Sequence, residues 1–236
     1  MRVVDLRDEL KLRRAFGFFD DFEWLISPHR WTNLAADVGT TAFAEGDRES
    51  GRLSGATGAT DNNEIDIRTT TEPFLVAANR QLIFEARIQY TEANTDDANV
   101  MVGFMSALAA DSLVDNGGGV RTTGNSFVIY KIDGGTVWRA SSRNGTEVED
   151  TVSVQTAGGT AYQVLTVLID DWDAGTTARA SYYLDGQPLT DSNNNEIVHT
   201  IAIASSTEMN AGAYIKAGGA TTETLLIDYI AAYQSR

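Results

Sequence analysis

Glu64 and Asp66 stand two residues apart in Asn-Asn-Glu-Ile-Asp-Ile-Arg-Thr-Thr, residues 62–70. On an extended strand alternate side chains share a face, so both carboxylates would project from one side. Paired carboxyls on one face could serve glycoside hydrolysis, in which a retaining enzyme holds nucleophile and acid/base about 5–5.5 Å apart. The next position on that face is Arg68, whose guanidinium does not release a proton near neutral pH. The stretch therefore reads as a strand with Ile65 and Ile67 inward and Glu64 and Asp66 facing solvent. Arg68 offsets their charge, and no catalytic residue is assigned.

Other chemistries find less. The chain has no cysteine, which removes disulfides, thiolate nucleophiles and thiolate metal sites. No Gly-x-Ser-x-Gly occurs, and the glycine-rich run 115–124 lacks the Lys-Ser/Thr end of a phosphate loop. That run reads as a flexible surface loop. General-base chemistry has only His29 and His199 to draw on. Acidic turns at Asp96-Asp97, at Asp170-Asp171 with Asp173, and at Asp191 with Asn193 to Glu196 carry the oxygen ligands that Ca²⁺ takes. None has the spacing of an EF-hand loop, so no metal ligand is assigned and no cofactor is expected. Trp138 and Trp172 lie near hairpin turns and, with Tyr182 and Tyr183, could offer sugars a stacking surface. Period-two alternation places at least one of the two tyrosines inside.

The elements that would position these residues are strands. Of the 236 residues 42% are hydrophobic, with 21 Gly and 3 Pro, and after residue 40 turn signals recur at short intervals. Between them lie eleven or twelve strand-like runs, among them SFVIYKI, YQVLTVLID and NAGAYIKA. KIDGGTVW and YYLDGQPL read as hairpins, with Asp-Gly supplying positive φ. The pattern predicts an all-β antiparallel sandwich in one domain, residues 21–236. Residues 1–20 read as a basic arm, with a short helix over 3–14. Net charge is −15, yet residues 1–14 carry +2, from Arg2, Arg7, Lys11, Arg13 and Arg14 against three acids. The acidic body argues against nucleic-acid binding. The N-terminal run lacks the apolar core of a signal peptide, and no run reaches the ~18 apolar residues of a membrane span, so synthesis in the cytoplasm without a membrane role is expected.

Three ordered segments resemble concanavalin A-like jelly rolls, a group that includes laminarinase-type glycosidases and LamG-type domains: Leu82-Ile83-Phe84-Glu85-Ala86-Arg87-Ile88, Tyr183-Leu184-Asp185-Gly186, and Leu226-Ile227-Asp228-Tyr229 through Gln234. The resemblance implies two antiparallel sheets and leaves function open, because this fold hosts enzymes, lectins and structural modules. Laminarinase-type enzymes carry Glu-x-Asp-x-Glu on the strand after the Phe-Glu-Ala-Arg-Ile-like one. Here Glu64 precedes Phe84, and Val100–Met105 bears no ionisable side chain. Tyr214-Ile215-Lys216-Ala217-Gly218 resembles a strand of jelly-roll alginate lyases, but His199 lacks the Gln two residues before it that those enzymes need.

The stretches 84–100, 128–139 and 214–229 also resemble LamG-like proteins encoded among structural genes of tailed bacteriophages. That likeness implies a non-catalytic virion protein, a capsid decoration or cement protein made in the host cytoplasm and placed on the capsid surface. Its partner would be the major capsid protein or another virion protein. Arg2, Arg7, Lys11, Arg13, Arg14, Phe16 and Phe18 would make the contact, and a homo-oligomer, a trimer, is expected. The alternative is a lectin-like adhesion module that binds a surface glycan through Trp138 and Trp172. A laminarinase-like hydrolase is a further alternative.

Overall fold

The computed structural model describes residues 15–25, 29–35, 37, 39–47, 51–145, 147–158, 161–173, 176–202 and 207–236. Its strands are β1 (Ala15–Asp20), β2 (Trp31–Ala35), β3 (Thr41–Asp47), β4 (Arg52–Ala56), β5 (Glu64–Thr69), β6 (Leu82–Thr91), β7 (Ala98–Met105), β8 (Leu113–Val114) and β9 (Gly119–Val120). They continue as β10 (Asn125–Lys131), β11 (Val137–Asn144), β12 (Val148–Thr156), β13 (Gln163–Asp173), β14 (Thr177–Leu184), β15 (Gln187–Pro188), β16 (Val198–Ala202), β17 (Asn210–Ala217) and β18 (Thr224–Ser235). No helix occurs among the described residues.

Two antiparallel sheets stack face to face. One has seven strands in the order β12-β11-β10-β7-β17-β5-β2. The other has nine, with the path β15-β14-β13-β6-β18-β4-β3, β1 beside β18 and β16 beside β14. Consecutive strands such as β10–β11–β12 and β13–β14–β15 lie beside strands from distant parts of the chain, such as β7–β17 and β6–β18, as in a jelly roll. Of the expected arm, residues 15–20 form β1, paired with β18 from Ala15↔Ser235 to Asp20↔Ile230. Residues 1–14, including the expected helix, lie outside the described residues.

Alternation fixes which side chains enter the core. Ile65 and Ile67 of β5, Val100, Val102 and Phe104 of β7, and Phe127 and Ile129 of β10 face inward from the seven-stranded sheet. They meet Phe84, Ala86 and Ile88 of β6 and Leu165, Val167 and Ile169 of β13. Phe104 packs on Phe74 at 4.9 Å and on Phe84 at 5.7 Å between ring centroids. Each fully buried aliphatic or aromatic side chain contributes roughly 1.5–3 kcal/mol. Asp185 and Gly186, at φ 50° and 77°, make the expected tight turn between β14 and β15.

The outer face of the seven-stranded sheet is covered over β7, β10 and β17. Every residue of β7 is buried on both faces. Residues 106–124, with the short hairpin β8–β9, lie across it and close a second apolar cluster of Met101, Met105, Leu108, Leu113, Val120, Val128, Tyr130 and Tyr214. Glycines make the fit possible. Gly103 and Gly212 face each other across β7 and β17. A Cβ on Gly212 would stand 2.8 Å from a Leu108 methyl carbon of the covering segment. The run 115–124, expected as a flexible surface loop, is thus part of a packed cover. The apolar Leu113 just before it and Val120 within it hold it down.

Candidate functional site

Glu64, Asp66 and Arg68 project from the same face of β5, as alternation requires, but that face is the covered one. Glu64 is 4% exposed and Asp66 0%. The expectation that they face solvent is therefore corrected, and the cause is the cover itself. The Tyr214 hydroxyl donates to Glu64 Oε2. The backbone N–H of Asp111, in the cover, donates to both Glu64 oxygens at 3.0 Å. Lys216, fully buried, donates to Asp111 Oδ1 at 2.8 Å and to the Leu113 carbonyl at 3.2 Å, contacts Asp115, and stands 3.6 Å from Glu64 Oε2.

Electrostatics follow from this burial. Desolvation pushes the Glu64 carboxyl up, against the Tyr214 and Asp111 hydrogen bonds and the Lys216 charge, which favour the anion. Burial raises Asp66 to about 7, although Arg68 Nη1 is 2.5 Å from Asp66 Oδ1. Desolvation works against the Lys216 ammonium, but Asp111 and Asp115 outweigh it and raise its pKa. A charged lysine held by three carboxylates and a carbonyl is a clamp. Both Glu64 oxygens are engaged by the cover and by Tyr214, and the side chain is almost fully buried. The arrangement fastens the cover to β5 and β17.

The outer face of the nine-stranded sheet is open, and here polar and aromatic side chains are held in place. A bulge in β18 between Ile227 and Tyr229 sets Asp228 and Tyr229 on the same outer face. Asp228 Oδ2 receives Arg87 Nη1 at 2.6 Å, and the Arg87 guanidinium lies 4.3 Å from the Tyr162 ring centroid. Glu85 accepts from the Tyr229 hydroxyl at 2.8 Å and from Thr166 Oγ1 at 3.1 Å. Phe19 of β1, 54% exposed, stacks beside Tyr229 at 5.2 Å. One register further along, Gly17 leaves room for the ring of Tyr233, which a Cβ there would strike at 2.7 Å. Tyr233, Ile83, Leu168, Ala15, Gln81 and Ser235 border a groove of about 350 Å³.

The residues singled out from sequence fall in different places. Arg2, Arg7, Lys11, Arg13 and Arg14 lie outside the described residues. Phe16 is 36% exposed, with its ring 5.4 Å from Phe74, and Phe18 packs on the core with its ring edge-on to Trp31 at 5.2 Å. Trp138 is 0% exposed and donates its Nε1–H to Gln163 Oε1 at 3.1 Å, so it offers no stacking face to a sugar. Its place on the inward side of β11, opposite Tyr90, is the reason. Trp172 is a residue of β13 whose side chain lies outside the described residues. Tyr182 is buried and Tyr183 points outward, half-buried, one above the other in the alternation expected. No group of three or more His, Asp or Glu able to hold a metal occurs among the described residues. Sequence reasoning missed Glu85, Arg87, Asp228 and Tyr229 as a constellation, although all four belong to two of the three segments that carried the resemblance.

No protein family model matches the chain, and no curated protein matches it. Solved structures do. The chain is similar to an endo-1,3-β-glucanase from Streptomyces sioyaensis at TM-score 0.60 and 12% identity, covering 94% of this chain and 97% of that one. It is similar to the carbohydrate recognition domain of Emp47p at TM-score 0.56 and 10% identity, covering 94% and 96%. It is also similar to lectin I of Ulex europaeus, solved with the methyl glycoside of α-L-fucose, at TM-score 0.54 and 9% identity, covering 94% and 98%. At these identities the likeness establishes the fold: a concanavalin A-like jelly-roll sandwich.

Proposed function

We propose that this jelly roll is a non-catalytic carbohydrate-binding module that uses the open face of its nine-stranded sheet. The observation that carries the reading is the row Phe19, Tyr229 and Tyr233 beside Glu85 and Arg87, each polar group already fixed by a neighbour. Aromatic rings accept the apolar faces of sugars, and pre-ordered polar groups can hydrogen-bond hydroxyls at little ordering cost. The sealed Glu64 and Asp66 support binding without turnover. Lectin-like neighbours of the same fold are consistent with this reading. Glycan-array binding that Phe19→Ala and Tyr233→Ala each weaken about tenfold or more, with the fold retained, is its test.

A second reading, attachment to a virion capsid, draws on the sequence resemblance to phage structural proteins. It also draws on Phe16, Phe19 and Trp24, which are 36%, 54% and 63% exposed near the N-terminal end of the described chain. In that reading the same aromatic side chains dock on a capsid protein, together with Arg2, Arg7, Lys11, Arg13 and Arg14. Co-sedimentation with capsids, lost on deleting residues 1–14, separates it from glycan binding.

A further inference from the structure

Along one edge the two sheets are joined by polar contacts centred on a single histidine. His199 of β16 is 2% exposed. Its Nδ1 is 3.1 Å from Ser142 Oγ of β11, its Nε2 is 3.0 Å from Thr151 Oγ1 of β12, and its ring meets that of Tyr182 of β14 at 5.2 Å. Ser142 Oγ touches the Tyr182 hydroxyl, which donates onward to the Ser141 carbonyl at 3.1 Å. Beyond the ring the seam continues through carboxylates. Glu147 accepts the Ala202 N–H at 2.7 Å, and Glu149 accepts the Thr200 N–H at 3.2 Å. Asn144 Nδ2 donates to the Ala202 carbonyl at 2.6 Å.

The proton count in this chain is constrained. With the Tyr182 proton given to the Ser141 carbonyl, Ser142 donates to Tyr182, so neutral His199 donates from Nδ1 to Ser142 and accepts at Nε2 from Thr151. A second proton turns both nitrogens into donors. Ser142 and Thr151 can accept both bonds, but among the described residues no carboxylate touches the ring to balance the charge. Among the charged groups around it, Asp150 of β12 is held by Arg143 of β11 at 2.6 Å. Glu147 and Glu149 are held by the β16 backbone, and from β14 come the neutral Tyr182 and, at the next outward register, Arg179. A buried imidazolium without a paired anion is costly, and release of the strand into water relieves it.

We propose that this seam is an acid-sensitive edge, at which protonation of His199 frees β16 from β12 while the rest of the sandwich stays closed. Burial lowers His199 from 6.5 to about 4. A group so lowered contributes stability that is complete above pH 6.5 and is lost as pH falls toward 4. If opening restores the ordinary value, the open fraction at pH 5 exceeds that at pH 7.5 roughly thirtyfold.

Amide hydrogen exchange on the whole chain, corrected for intrinsic rates, reads this directly. The amides of Thr200 and Ala202, which donate to Glu149 and Glu147 across the seam, should exchange roughly thirtyfold faster at pH 5 than at pH 7.5, while β6, β7 and β18 do not change, and His199→Gln should abolish the difference. Should that variant not fold, NMR titration of the native protein decides. The His199 ring and the β12 and β16 amides should then respond with one common midpoint below pH 6. Uniform acceleration across both sheets, an unchanged edge, or an ordinary His199 titration would overturn the proposal.

Discussion

Tyr214 of β17, opposite Asp66 in the ladder, reaches diagonally to Glu64 of β5, hydroxyl to carboxylate, beneath a segment whose own backbone N–H completes the same carboxylate. A pair that could suggest a catalytic dyad is thus a fastening. Its third member, Lys216, ties Asp111, Leu113 and Asp115 of the cover to the sheet.

Removing that tie tests the assignment. Lys216→Met leaves Glu64 buried without its cation, and the cost should be about 1–3 kcal/mol, since Asp111 and Asp115 can turn to water. Hydrogen-exchange protection should fall selectively across residues 106–124, with the inter-sheet core intact. Loss confined to β6 and β13 would speak for a different role.

Asp66 gives a pH signature of the opposite sense to His199. Its folded value of about 7 lies above the unfolded 3.8. Between those values the folded chain keeps a proton that the unfolded chain has released, so stability falls as pH rises. The full difference, in which the opposing pull of Arg68 is already included, corresponds to about 4 kcal/mol. Asp66→Asn should remove this slope. In urea titrations from pH 4 to 8 the variant should therefore gain on the native protein as pH increases.

Gly103 carries φ +140° in β7, and a Cβ there would lie 2.4 Å from the Phe127 carbonyl. Gly103→Ala should cost about 2 kcal/mol or more and lower the thermal midpoint without touching the open face. An unchanged midpoint in a thermal melt would mean that the sheet yields there.

Much of this architecture is readable from local pattern. Ile65 and Ile67 alternate with Glu64 and Asp66, and they do enter the core. Asp185-Gly186 does make the positive-φ turn. What period two cannot show is what lies against the polar face. Glu64 and Asp66 are covered because a segment some forty residues later returns across them, and that return is written only in tertiary contacts such as Gly212 against Leu108. For the same reason Trp138 looks available beside a turn, whereas β11 turns it inward. The open-face group escapes notice because it joins β1, β6, β13 and β18, with Asp228 and Tyr229 brought to one side by a bulge that the sequence does not announce.

The central claim is that the open face binds carbohydrate and the sealed carboxylates do not act. Calorimetric titration with the best glycan from an array, run on the native chain, Phe19→Ala, Tyr233→Ala and Glu64→Gln, decides it. The account predicts saturable binding without turnover, weakened about tenfold or more by each aromatic substitution and unaltered at the same face by Glu64→Gln. Failure to bind any glycan, or hydrolysis that Glu64→Gln abolishes, would contradict it.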